Sequence, residues 1–292
     1  MNRNVNYFPQ FEGFGMADST LKRLAKKGVP MLSLKNEDYE SLGCSIPSAN
    51  APVIGLLLGR EDGHFMSGRN YVLALAKKCA RIIFLDYEHH REQLVECDAV
   101  VLPGGSFSSP EVYYSDAKTK RFSCPSVRSQ AYVDCIRDAL HYKMPILGIC
   151  AGAQLVAAAF GLKLYRGKDG YFETPIEHKT LADKAHRVFL KPDTPFSRLM
   201  DNQQSMFVNS RHSEFLAPEN VQRELLGIAE GKSLPLDIYA TASDGIPEAW
   251  GKMEDGILCI QWHPEDLAAH GDQIQQLPYD WIAEMARFAK SH

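Results

Sequence analysis

Pro145-Ile146-Leu147-Gly148-Ile149-Cys150-Ala151-Gly152-Ala153-Gln154 is the stretch on which the reading of this chain turns. A short apolar run ends at Gly148, a single cysteine sits among small residues, and alanine-rich Ala151 to Phe160 reads as helix. The order is strand, sharp turn, helix. A side chain at such a turn points out beyond the end of a sheet. Gly148 and Gly152 let two backbones approach closely, as in the G-x-S-x-G nucleophile elbow with sulfur in place of oxygen. Cys150 then stands at a helix N-terminus, whose partly positive end favours thiolate over thiol. The competing reading is a buried packing cysteine ahead of a helix, and the rest of the chain has to decide.

Upstream, Val53 to Leu58, Arg81 to Leu85 and Ala99 to Leu102 are apolar runs of buried-strand length, and Pro145 to Ile149 is a fourth. Gly68 to Lys78 and His90 to Glu96 read as helices between them. Strands alternating with helices imply right-handed crossovers and a parallel sheet covered on both faces, with function gathered at the carboxyl ends of the strands. Beyond Phe160, short β-prone runs follow at Arg187 to Leu190, Met206 to Val208, Leu225 to Ala229 and Ile257 to Gln261, broken by Pro, Asp and Asn turns. They fit antiparallel or mixed additions to the same sheet, and Pro278 to Lys290 closes as an amphipathic helix. The expected fold is therefore α/β, a three-layer sandwich with a mostly parallel central sheet.

Residues 1 to 50 have weak periodicity, with an aromatic Tyr7-Phe8-Pro9-Gln10-Phe11 and a candidate helix from Ser19 to Lys27. They are expected to form an N-terminal extension to a domain spanning 51–292.

The net charge of −4 and the absence of a basic block exclude a general attraction for nucleic acid or anionic membrane. Seven cysteines without a C-x-x-C pair point to reduced thiols and a cytoplasmic protein. Neither an N-terminal apolar signal nor a run of roughly 18 apolar residues occurs. His89 and His90, with His64 upstream, form a local histidine cluster without zinc-ligand spacing, expected to be a polar surface segment. No metal and no organic cofactor are expected.

Two further strand ends carry candidate chemistry. Leu102-Pro103-Gly104-Gly105-Ser106 ends a strand in two glycines, whose backbone N–H groups are unobstructed. With the N–H of Ala151, that of Gly105 makes a two-donor hole for a tetrahedral oxyanion, an effect of roughly 3–4 kcal/mol per donor. The plain alternative is a Gly-Gly turn. The connection from Ser106 to Arg128 has the length of a binding loop or lid. Downstream, Trp262-His263-Pro264-Glu265 places a base and a carboxylate two residues apart directly after a strand, where the carboxylate can fix the imidazole tautomer.

Leu-Pro-Gly-Gly, Gly-Ile-Cys-Ala-Gly-Ala-Gln and Gln-Trp-His-Pro-Glu, in that order, resemble the class I glutamine amidotransferase superfamily, and most of all its γ-glutamyl-γ-aminobutyrate hydrolase branch. Pro110 to Tyr114, Val208 to His212 and Asp244 to Ala249 add to the likeness, which runs from about Pro52 to Phe288. The resemblance implies a flavodoxin-like sandwich and a γ-glutamyl hydrolase with Cys150 as nucleophile, His263 as acid/base and Glu265 orienting it. It also implies oxyanion donors at Gly105 and Ala151. Gln154 would contact the glutamyl group, and Asn209, Ser210, Arg211 and His212 would hold its α-amino and α-carboxyl ends. Ala151 and Ser213 depart from the branch, which often carries a larger residue after the cysteine and a second histidine after the first. The expected partner is a small γ-glutamyl substrate, with a homodimer as the expected assembly. The alternatives are a glutaminase serving a synthase, an amidase for peptide-borne glutamine, and a binding module of the same fold without activity.

Overall fold

The computed structural model describes residues 31–58, 60–61, 64–65, 68–105, 127–166, 174–229 and 231–291. Tyr7 to Phe11, the Ser19 to Lys27 helix, Pro110 to Tyr114 and most of the Ser106 to Arg128 connection lie outside these residues.

The first half builds β1 (Leu32–Ser33), α1 (Asn36–Ser41), β2 (Val53–Leu57), β3 (Arg60–Glu61), β4 (His64–Phe65), α2 (Arg69–Ala76), β5 (Arg81–Leu85), α3 (His90–Leu94) and β6 (Ala99–Leu102). After α4 (Val127–His141), β7 (Ile146–Ile149) and α5 (Ala151–Ala159) carry the opening stretch. Then come β8 (Leu164–Arg166), β9 (His186–Leu190), α6 (Pro195–Leu199), β10 (Ser205–Val208), β11 (Glu214–Leu216) and α7 (Glu219–Leu226). The chain closes with β12 (Asp237–Ala242), β13 (Pro247–Lys252), β14 (Ile257–Ile260), α8 (Pro264–Ala269) and α9 (Gln273–Ser291).

One ten-stranded sheet runs in the order β1-β5-β2-β6-β7-β14-β13-β12-β9-β10. Its centre, β5-β2-β6-β7-β14, is parallel, and β13, β12, β9 and β10 extend it antiparallel, as the α/β reading expects. Alternating side chains feed two cores. Val53, Leu57, Val100 and Leu102 face α4 and α5, while Ile54, Leu56, Ala99 and Val101 face α2 and α9.

Residues 31–50 are stitched to the sheet. Leu32 and Ser33 pair with β5, and buried Tyr39 donates to Ala80 O at 2.8 Å and accepts from Ile82 N at 3.1 Å.

Two expectations need correction, and two strands went unread. Leu225 to Ala229 is not a strand. Leu225 and Leu226 end α7, which Pro218 starts, Glu219 stabilises in its first turn and Gly227 stops in a left-handed C-cap (φ 63°). His90 is not a surface residue. It is 5% exposed, its Nδ1 lies 3.2 Å from Tyr87 O, and burial pulls its pKa below the usual histidine value. His89 does face solvent in part, against Asp86 at 3.1 Å. Finally, β12 and β13 were not anticipated. Asp237, Pro247, Glu248 and Gly251 disguise two strands of the sheet.

Candidate active site

Register alone brings the three motifs together. Leu102 pairs with Gly148 across β6–β7, and Gly148 and Ile149 pair with Cys259 and Ile260 across β7–β14. The residues that follow, Gly104-Gly105, Cys150 and His263, therefore emerge side by side from the carboxyl ends of three adjacent parallel strands.

Cys150 has φ 49° and ψ −111°, a conformation that costs a non-glycine residue about 1–3 kcal/mol and aims Sγ out of the sheet. The turn is held because Cys150 N donates to Ile260 O at 2.8 Å and Gln154 N to Cys150 O at 3.0 Å. Gly152 is obligatory: a Cβ there would lie 2.1 Å from Leu102 O. Gly148 is nearly so, at 2.9 Å from Ala153 Cα. Cys150 is 7% exposed.

His263 Nδ1 lies 2.7 Å from Glu265 Oε1, so the carboxylate fixes the tautomer and leaves Nε2 for chemistry. Glu265 is buried at the start of α8 and is braced by Tyr279, whose hydroxyl donates to Oε2 at 3.3 Å. Tyr71 Oη sits 3.4 Å from His263 Nδ1 and hydrogen-bonds Glu265. Burial and the nearby Glu265 charge hold Tyr71 well above the usual phenol range, so it keeps its proton. For His263, burial pulls the pKa down. The charges of Glu265 and Cys150 and hydrogen bonds to both outweigh it, leaving the imidazole well above its ordinary value. The His263 backbone is clamped as well, donating N–H to Asn209 Oδ1 at 2.8 Å while Asn209 Nδ2 donates to His263 O at 2.9 Å.

Gly104 lets cysteine and histidine meet. A Cβ built on it would lie 2.5 Å from His263 Cε1, 3.0 Å from Cys150 Cβ and 3.2 Å from Tyr71 Oη. Its carbonyl accepts from Arg128 Nη2 at 2.7 Å, and its N–H donates to Tyr71 Oη at 2.9 Å. In a trans peptide, C=O and the following N–H point opposite ways, so Arg128 turns the Gly105 N–H away from α4. Gly105 has φ 134°, and a Cβ there would strike Arg128 Nη1. Ala151 is the first residue of α5, where the N–H has no intrahelical acceptor. A cavity of about 400 Å³ opens over this end of the sheet, lined among others by Arg69, Asn70, Gly105, Arg128, Arg211 and His263.

The expected substrate residues divide. Arg211 faces the cavity and pairs with Asp266 at 2.7 Å. Asn209 is fully buried and holds His263. Ser210 is also fully buried, its Oγ donating to His178 O at 2.6 Å. His212 is buried with Nδ1 2.9 Å from Glu214 O. Gln154 is 2% exposed, its Nε2 donating to Glu214 O at 2.6 Å and Gln261 Oε1 at 2.9 Å. In this geometry it braces the segment after His212. Tyr71, Tyr279 and Arg128 were missed by sequence reasoning, since aromatics on helices read as core and Arg128 follows an irregular stretch.

A strained cysteine at a strand–helix elbow, a carboxylate-oriented histidine on the neighbouring strand and an unobstructed Gly-Gly turn form an arrangement able to carry out thiol-dependent acyl transfer. A family model for peptidase C26 matches residues 66–265, more than half of the 292-residue chain, and the chain belongs to this family within the class I glutamine amidotransferase-like superfamily. It is thus a hydrolase-type enzyme of a class that works by cysteine-dependent amide hydrolysis or amide transfer. A glutamine amidotransferase-like protein of Lactococcus lactis is 29% identical over 186 residues, 61% of this chain and 70% of the relative. A protein of Schizosaccharomyces pombe named as a glutamine amidotransferase is 29% identical over 231 residues, 74% of this chain and 79% of its own. A crystal structure described as a GMP synthase protein from Thermoplasma acidophilum superposes with a TM-score of 0.52 at 16% identity. It covers 81% of this chain and 94% of that one, a likeness of fold.

Proposed function

We propose that this chain hydrolyses the γ-glutamyl amide bond of a small γ-glutamyl compound, in the manner of the γ-glutamyl-γ-aminobutyrate hydrolase branch. The observation that carries the reading is the pairing of Cys150, in its strained elbow, with His263 held by Glu265 at 2.7 Å.

In this mechanism the Cys150 thiolate attacks the γ-carbonyl, and the Gly105 and Ala151 N–H groups receive the developing oxyanion. His263 protonates the departing amine. The same nitrogen then takes a proton from water, whose oxygen attacks the thioester and releases the γ-carboxylate. Glu265 stabilises the imidazolium at each stage, and Asn209, Tyr71 and Tyr279 keep it in line. Arg211, which lines the cavity, supplies positive charge suited to the α-carboxylate of a glutamyl group. Six described cysteines are free thiols, in keeping with a cytoplasmic setting. Among the described residues no helix is long and apolar enough to cross a membrane.

The test is steady-state hydrolysis of a panel of γ-glutamyl amides by the wild type and Cys150→Ala. The reading expects turnover of amides with large leaving groups and its loss in the variant. Turnover of glutamine alone, appearing only when a synthase is added, would instead support the amidotransferase alternative.

A further inference from the structure

Away from the thiol centre, three histidines converge on one buried carboxylate. Glu248 on β13 is fully buried, and His178, His186 and His212 are 6%, 6% and 4% exposed. Each presents a ring nitrogen to the same oxygen, Glu248 Oε1: His178 Nδ1 at 3.3 Å, His186 Nε2 at 3.2 Å and His212 Nε2 at 3.5 Å. Yet His178 Nδ1, His212 Nε2 and Glu248 Oε2 have no hydrogen-bond partner. Buried polar atoms are normally satisfied, so three orphans at one point call for a missing neighbour.

The opposite ring nitrogens say what that neighbour is. His178 Nε2 lies 2.8 Å from Asp244 Oδ2, and His212 Nδ1 2.9 Å from Glu214 O. When those nitrogens carry the ring protons, His178 Nδ1 and His212 Nε2 are lone pairs, both aimed at Glu248. An imidazole whose N–H is held by a carboxylate or backbone carbonyl while its other nitrogen is bare is the arrangement found behind metal-ligating histidines. Asp244 is itself fixed by Thr174 Oγ1 and the Ile246 N–H.

Distance and charge agree. Ligands about 2.0–2.1 Å from a tetrahedral Zn²⁺ stand about 3.3–3.4 Å from one another, which is the spacing observed around Oε1. Candidate ligand atoms of His178, His212 and Glu248 all lie within 4.8 Å of one another, while His186 stands outside that group and hydrogen-bonds Glu248 Oε1 through Nε2 at 3.2 Å. Two carboxylates, Glu248 and Asp244, offset the charge of one dication.

We propose that His178, His212 and Glu248 bind a divalent cation of the zinc class at a site separate from Cys150, with His186 bracing the Glu248 carboxylate. Three protein ligands leave the fourth position of a tetrahedral ion to water. The site ties together segments that serve the thiol centre. Glu214 O also accepts from Gln154 on α5, Gln261 N donates to Glu248 O, and Asn209, which clamps His263, lies three residues before His212. The cation pins the Asn209 to Glu214 segment against both. Sequence spacing hides the set, because the sheet gathers ligands from separate stretches of chain.

The test uses the full chain, stripped by chelator and dialysed against Zn²⁺ or Co²⁺, and read by elemental analysis and visible absorption. The expected result is one equivalent of zinc, and with cobalt the intense d–d bands of a four-coordinate ion. A Cys150→Ala/His263→Ala double variant keeps both signals, whereas His212→Gln and Glu248→Gln, checked for fold by circular dichroism, lose them. If both of those variants fail to fold, the wild-type cobalt spectrum decides: a four-coordinate spectrum without thiolate charge-transfer bands supports the site. No uptake by folded wild type overturns the proposal and leaves a proton-bridged network. So does metal that survives in His212→Gln, or that vanishes in the Cys150→Ala/His263→Ala double variant.

Discussion

Replacing Gly104 with alanine puts one methyl group between the candidate nucleophile and its base. The new Cβ would stand 2.5 Å from His263 Cε1 and 3.0 Å from Cys150 Cβ, whereas carbon atoms in contact settle at about 3.5–4.0 Å. Something must move by about 1 Å. Cys150 is fixed by its backbone bond to Ile260 O, so the imidazole ring yields. Its swing stretches the 2.7 Å bond to Glu265 and misaligns Nε2. A misplacement of about 1 Å lowers turnover roughly 100-fold. The fold loses less, about 1–3 kcal/mol as for an overpacked core site, because Gly104 φ is not in the left-handed region. The assay is kcat/KM on a γ-glutamyl amide together with the rate of Cys150 alkylation by iodoacetamide, alongside a thermal melt. A folded Gly104→Ala protein with wild-type turnover and alkylation would refute the packing argument for how cysteine and histidine meet.

Other substitutions probe the supports. Asn209→Ala leaves two buried backbone groups of His263 unpaired, so chemical denaturation should show a loss of about 2–4 kcal/mol, with kcat reduced. Arg128→Ala frees the Gly104–Gly105 peptide, and kcat should fall more than KM changes, by up to the roughly 3–4 kcal/mol of one oxyanion donor. The His263 pKa is raised on folding, so its stabilisation is complete below the unfolded value of about 6.5 and is lost as pH rises through the folded value. In Glu265→Gln that alkaline decline in stability should flatten, and the alkaline limb of kcat/KM should move to lower pH. Gly152→Ala, driving a methyl into Leu102 O, should leave little soluble folded protein in a solubility and melting comparison.

Much of this molecule is legible in its sequence because the parallel strands are buried on both faces. Val53 to Leu57, Ile82 to Leu85 and Ala99 to Leu102 are apolar throughout and read as strands without help from neighbours. Cys150, His263 and Glu265 were legible for a related reason, each standing just past such a run. The antiparallel half is harder. Glu248 occupies a strand interior where a carboxylate contradicts strand propensity, and only the convergence of three histidines explains its burial. Leu225 and Leu226 looked like a strand because the helix containing them is short and half polar, and Gly227 hid its end. Contacts between distant segments left no trace in either half. Asn209 reads as a loop polar residue, yet its partner is the backbone of His263, and Gln154 spends its amide on Glu214 and Gln261. No spacing rule along the chain anticipates such pairs, because the fold brings together segments far apart in sequence.

The central claim, that Cys150 carries the γ-glutamyl group, is tested most directly by mass spectrometry of protein quenched in acid during turnover of a γ-glutamyl amide. The account predicts one γ-glutamyl adduct per chain, located on the peptide containing Cys150 and absent from Cys150→Ala, with release of the free amine. Full turnover by Cys150→Ala, or an adduct placed on any other residue, would contradict it.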